Sequence, residues 1–230
     1  MNIWRKYKTV ENKGRGQKAK GIRVGFFSAL CLLIFAFSTA CQSVDPVVKV
    51  GLVAPFEGAN RAIGYDAIYS ARLAVREINE TGGIGGFRVA LVALDDSSDL
   101  ELAQKNAESL VVDPNVVAVV GHWLPETTAV SSPIYAQANL PLIPVGESPF
   151  LQTAPESLPP EFHSAYEAVT PFDETVGSYA GSTYDAFQLL WLALEDTEQN
   201  GGNITREGVK NALNGLEYEG LTGTVYVPEN

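Results

Sequence analysis

The chain has 230 residues, with 16 basic and 27 acidic side chains and a formal net charge of −11. Eight basic residues and one acidic residue lie in residues 1–23, so residues 41–230 carry 8 basic and 26 acidic side chains, a net charge of −18. This balance rules strongly against a nucleic-acid partner, because phosphate backbones need a basic protein surface. It predicts a soluble, self-repelling surface instead.

The basic start of the chain is followed by VGFFSALCLLIFAFSTA, seventeen uncharged and mostly apolar residues that end at Cys41. This pattern predicts an export signal over residues 1–40. The tail STAC resembles the lipobox of bacterial lipoproteins, although Ser38 stands where that motif usually has leucine. Cys41 is therefore the predicted lipid site, which would anchor the protein to a membrane; simple secretion and an uncleaved anchor are the alternatives. The other cysteine, Cys31, lies inside the signal, so no internal disulfide is expected.

Residues 47–145 alternate between strand-like and helix-like patterns. The predicted strands are VVKVGLVA (47–54), FRVALVAL (87–94), VVAVVG (116–121) and PLIPV (141–145). Apolar residues at helical spacing predict the intervening helices, which cover 61–80, most of 95–113 and 127–138. Ser98 and Glu101 form a predicted capping box for the second helix. Continuous apolar runs that alternate with helices predict an α/β fold, a parallel sheet covered on both faces.

The glycine-rich stretch GGIGG follows the first predicted helix and precedes the second strand. A dinucleotide-binding glycine loop has the opposite order, strand first and helix second. We therefore expect Gly82, Gly83, Gly85 and Gly86 to end the helix and turn the chain, where positive φ is needed, rather than to bind phosphate.

After residue 146 the pattern becomes less regular. Residues 146–178 are rich in Pro, Ser and Glu and predict one short helix near 161–168. A strong helix over 178–197 follows. Another helix is predicted within 204–216, capped by Thr205 and ended by Gly215, and the chain then ends in a short strand.

Three stretches resemble a known family. GLVAPFEG, AVREINETGGIGGFRVALVALDDSSD and VVAVVGHWLPETTAVSSPIYAQANLPLIPVGES follow the order and spacing of the first lobe of periplasmic branched-chain amino-acid binding proteins, the type I solute-binding receptors of ABC transporters. The resemblance covers about residues 47–150, and STYDAFQLLWLALE and YEGLTGTVYV resemble the family's C-terminal part. It implies a Rossmann-like lobe, an amino acid as ligand and an ABC permease as partner; no cofactor is expected.

The chain also departs from this family, whose members close two lobes on a ligand. A fifth strand of the first lobe and most of the second lobe have no counterpart here. The predicted organisation is a first lobe over 41–150, an irregular linker at the apparent deletion over 151–178, and C-terminal helices and a strand over 179–230 that pack on the same lobe. A truncated product that folds poorly is the alternative.

The resemblance also implies where a ligand would lie, in the loops that follow the third and fourth strands. The candidates for ligand binding are the hydroxyls of Thr127, Thr128 and Ser148, the backbones of Gly146 and Glu147, and Trp123 and Phe56 as apolar walls. The alternatives are that the two threonines only cap the following helix and that Trp123 only fills space left by the missing lobe.

Three acidic residues and a histidine flank these candidates. His122 is expected to close its strand with a hydrogen bond rather than to bind a metal, and Asp95 and Asp96 to form a turn and start a helix. Glu126 would repel a ligand carboxylate. A cationic, amide or neutral polar ligand therefore fits at least as well as a branched-chain amino acid.

Three function classes were compared on these patterns. A solute-binding lipoprotein of an ABC importer is favoured, and a ligand-sensing receptor module that acts through a protein partner is the alternative. An extracytoplasmic enzyme is disfavoured, because the sequence has no nucleophile elbow, paired-histidine metal motif or phosphate loop.

Overall fold

A computed structural model describes residues 45–171 and 174–229. The predicted signal and Cys41 lie outside these residues. The strands are β1 Val47–Ala54, β2 Arg88–Asp95, β3 Val116–Gly121, β4 Leu142–Ile143, β5 Glu217–Gly220 and β6 Gly223–Tyr226. The helices are α1 Arg61–Glu80, α2 Leu100–Val112, α3 Pro125–Gln137, α4 Pro160–Glu167, α5 Ala180–Gly201 and α6 Arg206–Leu213, with one 3-10 turn at Pro155–Ser157.

The first four strands form a parallel sheet in the order β2-β1-β3-β4. Helices α1 and α5 pack together on one face of this sheet, and α2 packs against α3 on the other. Alternate residues of β1 enter the two cores: Val50 and Leu52 face α1 and α5, whereas Val53 faces α2 and α3. The predicted α/β fold with helices on both faces is confirmed.

The C-terminal segment contributes to the same hydrophobic core as the sheet. Phe187, Leu190 and Trp191 of α5 and Val209 of α6 are buried in one cluster with β1 and β3 residues. The irregular segment covers the outer side of α1, where Phe162 and its neighbours pack against Tyr69. Apolar burial on both sides of α1 therefore holds residues on either side of the irregular segment in one folded body.

Several local predictions are confirmed. The four glycines at 82–86 have φ values of +105°, +77°, +56° and +85°. Thr205 caps α6 by accepting a hydrogen bond from the N–H of Gly208 at 3.1 Å. A side chain at Gly83 would collide with the Phe87 carbonyl oxygen, so this glycine is needed both for its φ value and for the close approach of the chain.

Several boundaries differ from the prediction, and the helix predicted over 178–197 spans Ala180–Gly201. Asp99, not Ser98, caps α2, because Asp95 and Asp96 hold the preceding turn and delay the helix by one residue. β4 is two residues long, since Pro141 and Pro144 on either side lack an N–H to donate. The chain ends in a β5–β6 hairpin instead of a single strand, and buried Asp185 accepts hydrogen bonds from its turn at Leu221 and Thr222.

A buried carboxylate links α1 to the segment that leads into α5. The side chain of Asp66 accepts a hydrogen bond from the N–H of Tyr179 at 3.0 Å. Burial raises the pKa of Asp66 to about 6, although hydrogen bonds from Tyr179 and Gly177 oppose the rise. The folded chain therefore binds this proton more tightly than the unfolded chain does, whose pKa is near 3.8.

We expect this group to make the free energy of unfolding depend on pH. Its stabilising effect is complete below pH 3.8 and is lost as the pH rises through about 6. The total change is at most about 3 kcal/mol. Urea unfolding at several pH values should show a flatter profile for Asp66→Asn than for the parent chain. Glu108→Gln, which removes an exposed carboxylate from α2, should leave the profile unchanged; parallel profiles for Asp66→Asn and the parent would contradict the assignment.

Candidate functional site

The loops that follow β1, β3 and β4 lie at the same edge of the sheet, because these strands are parallel neighbours. The loops after β3 and β4 touch directly. Gly146 has a φ of +92°, and a Cβ atom at this position would lie 2.5 Å from the Trp123 carbonyl oxygen. The carboxyl edge of the sheet therefore brings Trp123 and Gly146 together, where α/β sheets usually bind ligands.

The two aromatic candidates belong to the main hydrophobic core. Trp123 is only 2% exposed, and Phe56 is half-buried against the same cluster. The indole N–H of Trp123 is buried and has no hydrogen-bond partner among the described residues. Trp123 is therefore not exposed as an apolar surface for a ligand in this conformation. Its indole N–H is a hydrogen-bond donor without a described partner, and it is buried close to the candidate site.

The threonine hydroxyls at the start of α3 both donate to backbone carbonyls. Oγ1 of Thr127, which is buried, donates to the Leu124 carbonyl at 3.0 Å, and Oγ1 of half-buried Thr128 donates to the His122 carbonyl at 3.3 Å. Each hydroxyl therefore keeps only its lone pairs for other partners. The oxygen of half-buried Thr128 is suited to accept a hydrogen bond from a ligand, whereas burial closes the Thr127 hydroxyl to a ligand in this conformation.

The loop after β4 offers one unengaged hydroxyl. The N–H of Gly146 donates to the Phe150 carbonyl at 2.9 Å and is not available to a ligand in this conformation. Glu147 is half-buried. Ser148 is exposed, and its side chain makes no hydrogen bond with the described residues. Ser148 is therefore the candidate hydroxyl that a ligand can most easily engage.

Asp95 ties the end of β2 to the loop after β1. Its Oδ1 accepts hydrogen bonds from the N–H groups of Phe56 at 2.7 Å and Ser97 at 2.8 Å, with Glu57 at 3.3 Å. Burial alone would raise the pKa of Asp95, but these bonds and one from the Ser97 hydroxyl outweigh it and lower the pKa. Asp95 is thus a carboxylate that fixes the loop of Phe56 through backbone hydrogen bonds, as expected for a turn residue.

A buried hydrogen-bond network next to Asp95 joins the ends of β2 and β3 to α3. Nδ1 of His122 lies 2.9 Å from Oδ2 of Asp96, and Nε2 lies 3.2 Å from the Tyr135 hydroxyl. All three side chains are at most 1% exposed. Burial, with a smaller effect from Asp96, raises the pKa of Tyr135 far above its usual value, so the phenol stays protonated. The network resembles a catalytic relay in its residue types, but its burial keeps substrates away.

This network matches the expected hydrogen-bonding role of His122. Among residues 45–171 and 174–229, no group of three or more His, Cys, Asp or Glu side chains could hold a metal ion. The sequence did not reveal Tyr135 as the third member, because a helical tyrosine ten or more residues away carries no local signal. It also did not reveal Gly64, where any side chain would collide with the Pro55 carbonyl and displace the loop of Phe56.

A family model described as periplasmic binding protein matches residues 47–161, which is half of the chain and includes every strand of the parallel sheet. The chain belongs to the periplasmic binding protein family. The predicted resemblance is therefore confirmed for the part that the match covers.

Curated relatives of this family member include an amino acid binding protein of Pseudomonas aeruginosa, 28% identical over 184 residues, which are 76% of the chain and 47% of the relative. The Leu/Ile/Val-binding protein homolog 1 of Brucella melitensis is 28% identical over 208 residues, 87% of the chain and 53% of the relative. The chain spans about half the length of these curated relatives.

Solved structures share the fold of this periplasmic binding protein. The branched-chain amino acid transporter substrate binding protein LivJ of Streptococcus pneumoniae, in complex with isoleucine, aligns with a TM-score of 0.64 at 16% identity, covering 78% of this chain and 91% of that one. The leucine binding protein LivK of Thermotoga maritima aligns with a TM-score of 0.61 at 13% identity, covering 80% and 92%. Within the described part of the chain, no helix has the length and apolar character needed to cross a membrane.

Proposed function

We propose that this chain is the ligand-binding lobe of an extracytoplasmic solute-binding lipoprotein that serves an ABC importer. The observation that carries the proposal is the contact between the loops after β3 and β4, which gathers Trp123, Gly146 and the start of α3 at the carboxyl edge of the sheet. Membership of the periplasmic binding protein family supports this use of the edge. Its curated relatives bind amino acids, as their names state.

The ligand is an amino acid, an amide or a related small polar molecule that donates hydrogen bonds. Thr128 offers lone pairs rather than a hydroxyl hydrogen, and Thr127 would do the same only if the edge opened, because it is buried in this conformation. Glu126 is exposed in the first turn of α3 and adds a negative charge to the same edge. An ammonium or amide group would satisfy these acceptors, whereas a carboxylate placed beside Glu126 would be repelled.

The start of the chain determines where the lobe would lie in the cell. Export through the signal over residues 1–40 and lipidation of Cys41 would hold the lobe outside the cytoplasm, beside an ABC permease. One lobe covers less of a ligand than a closed cleft does, so binding is expected to be weak unless another polypeptide supplies the opposite wall.

A thermal melt tests the binding function. The purified chain is melted alone and with amino acids, amides and polyamines at about 5 mM, while tryptophan fluorescence is recorded. A ligand that binds only the folded chain raises both Tm and the free energy of unfolding. The free energy rises by about 1 kcal/mol when the ligand concentration is a few times Kd. Chromatography of the ligand after incubation should show no turnover. A cooperative melt that no compound shifts would contradict the proposal.

Ser148→Ala tests where the ligand lies. We expect this variant to weaken binding of the stabilising compound about threefold to tenfold, since it removes one hydrogen bond, and to leave the Tm of the free chain unchanged. Ser109→Ala, which alters an exposed serine on α2, is the matched control. Isothermal titration of both variants provides the measurement, and equal affinities would place the ligand away from the loop after β4.

A further inference from the structure

A groove runs along the open edge of β4. This strand is the last in the sheet order, so among the described residues it pairs only with β3. The groove lies between that edge and α3, has a volume of about 390 Å³, and extends from Thr128 near the start of α3 to Asn139 just beyond its end. Its volume is within the range of small-molecule sites.

The groove combines an apolar floor with few polar groups. Leu140, Leu142 and Pro144 supply apolar surface. Lys210 of α6 is the only charged residue of the lining; it is exposed and forms no ion pair with any described residue. The side chain of Asn139 also makes no hydrogen bond within the described part of the chain. The groove therefore offers N–H donors and positive charge, and none of the described residues that line it is acidic.

The charge of the groove is unusual for this protein. Residues 41–230 contain 26 acidic and only 8 basic side chains. Lys49 pairs with Asp113, Lys105 with Glu101, and Arg206 with backbone carbonyls, whereas exposed Arg61 and Arg88, like Lys210, form no ion pair with a described residue. Of these three unpaired cations, Lys210 is the one that lines the groove, and its charge favours an anionic occupant.

We propose that this groove binds a small monocarboxylate with a short apolar arm. The Lys210 ammonium and the Asn139 amide face the carboxylate, and the leucine and proline side chains cover the arm. One cation matches one negative charge. Thr128 lines this groove and also belongs to the carboxyl-edge site, but Lys210 and Asn139 lie in the groove. The carboxyl edge offers acceptors beside Glu126 and would repel the same ligand.

A polypeptide strand is a poorer occupant of this edge. Strand addition requires a row of N–H and C=O groups on the edge strand. Only Leu142 and Ile143 are in strand conformation, and Pro141 and Pro144 have no N–H to offer. The edge therefore offers too few N–H groups to bind a strand, but a small molecule can still reach it.

The experiment compares acids with their neutral amides. Isovalerate and benzoate, and isovaleramide and benzamide as controls, are titrated into the isotopically labelled chain, and amide resonances are followed by NMR. We expect the acids, but not the amides, to shift the resonances of Asn139, Leu140 and Lys210 at millimolar concentrations. Shifts of equal size with acid and amide, or shifts confined to residues outside the groove, would overturn the proposal.

Two variants test the residues that carry the proposal. Lys210→Gln should raise the Kd for the acids about twofold to fivefold, the range expected for an exposed charge pair. Arg88→Gln removes an exposed charge from the start of β2 and should leave Kd unchanged. Ala136→Phe keeps every charge but fills the groove, and it should abolish the shifts. Unchanged binding by Lys210→Gln and Ala136→Phe would overturn the assignment, whereas Ser148→Ala should have no effect on acid binding.

Discussion

Replacing Arg206 by glutamine is expected to lower the free energy of unfolding by about 3 kcal/mol or more. Arg206 begins α6, and its guanidinium donates to backbone carbonyls at the amino edge of the sheet. The shortest of these bonds reach Asp113 at 2.7 Å and Val116 at 2.8 Å, and longer ones reach Val111 and Ala138. These carbonyls end α2 and α3 or begin β3.

The size of the effect follows from what these carbonyls lose. The last carbonyls of a helix have no partner within the helix and carry the negative end of its dipole. One planar cation satisfies two helix ends and a strand at once, and glutamine can reach only part of this set. Burial lowers the pKa of Arg206, and Asp113 opposes that change.

Urea unfolding followed by tryptophan fluorescence measures the loss. Arg206→Lys keeps the charge but not the planar fork, so it should fall between the parent chain and Arg206→Gln. Arg88→Gln should change stability by no more than about 0.5 kcal/mol. If Arg206→Gln were as stable as Arg88→Gln, the C-terminal segment would not depend on this contact for its attachment to the lobe.

The sequence was sufficient to predict the strands and helices of the sheet, since apolar periodicity records burial directly. β1 and β3 have the predicted bounds, and α1 does as well. The prediction failed where a non-local contact decides the outcome. Asp99 replaces Ser98 as the cap of α2, because side-chain bonds in the preceding turn set the start of the helix.

The candidate site was predictable only in outline. Parallel strands place the ends of β1, β3 and β4 at one edge whatever the side chains are, and the family resemblance pointed to the loops of Trp123 and Gly146. The exposure and the hydrogen-bond partners of each side chain could not be predicted in this way. Burial of Trp123, the bond from Gly146 to Phe150 and the role of Arg206 all depend on backbone atoms of distant residues, which leave no trace in a local pattern.

Replacing Asp96 by alanine is expected to cost about 2–4 kcal/mol of stability and to weaken any binding at the carboxyl edge. The Asp96 carboxylate accepts from the N–H of Ser98 at 2.9 Å and contacts Nδ1 of His122 at 2.9 Å, and its burial means that water cannot replace it. Without it, Nδ1 of His122 and the N–H of Ser98 lose their partner, and a polar group buried without a partner costs its desolvation. The peptide after β3 that carries Trp123 then loses its support.

Tyr135→Phe is the matched variant, because it removes only the hydroxyl at the far end of the same network. It should cost about 1 kcal/mol, since the ring still packs between α3 and the sheet and His122 keeps Asp96. Combining both substitutions tests the coupling: if the three side chains act as one network, the double variant loses less stability than the two single losses added together. Strict additivity, or an Asp96→Ala variant as stable as Tyr135→Phe, would show that the loops at the carboxyl edge are held by apolar packing of Trp123 alone.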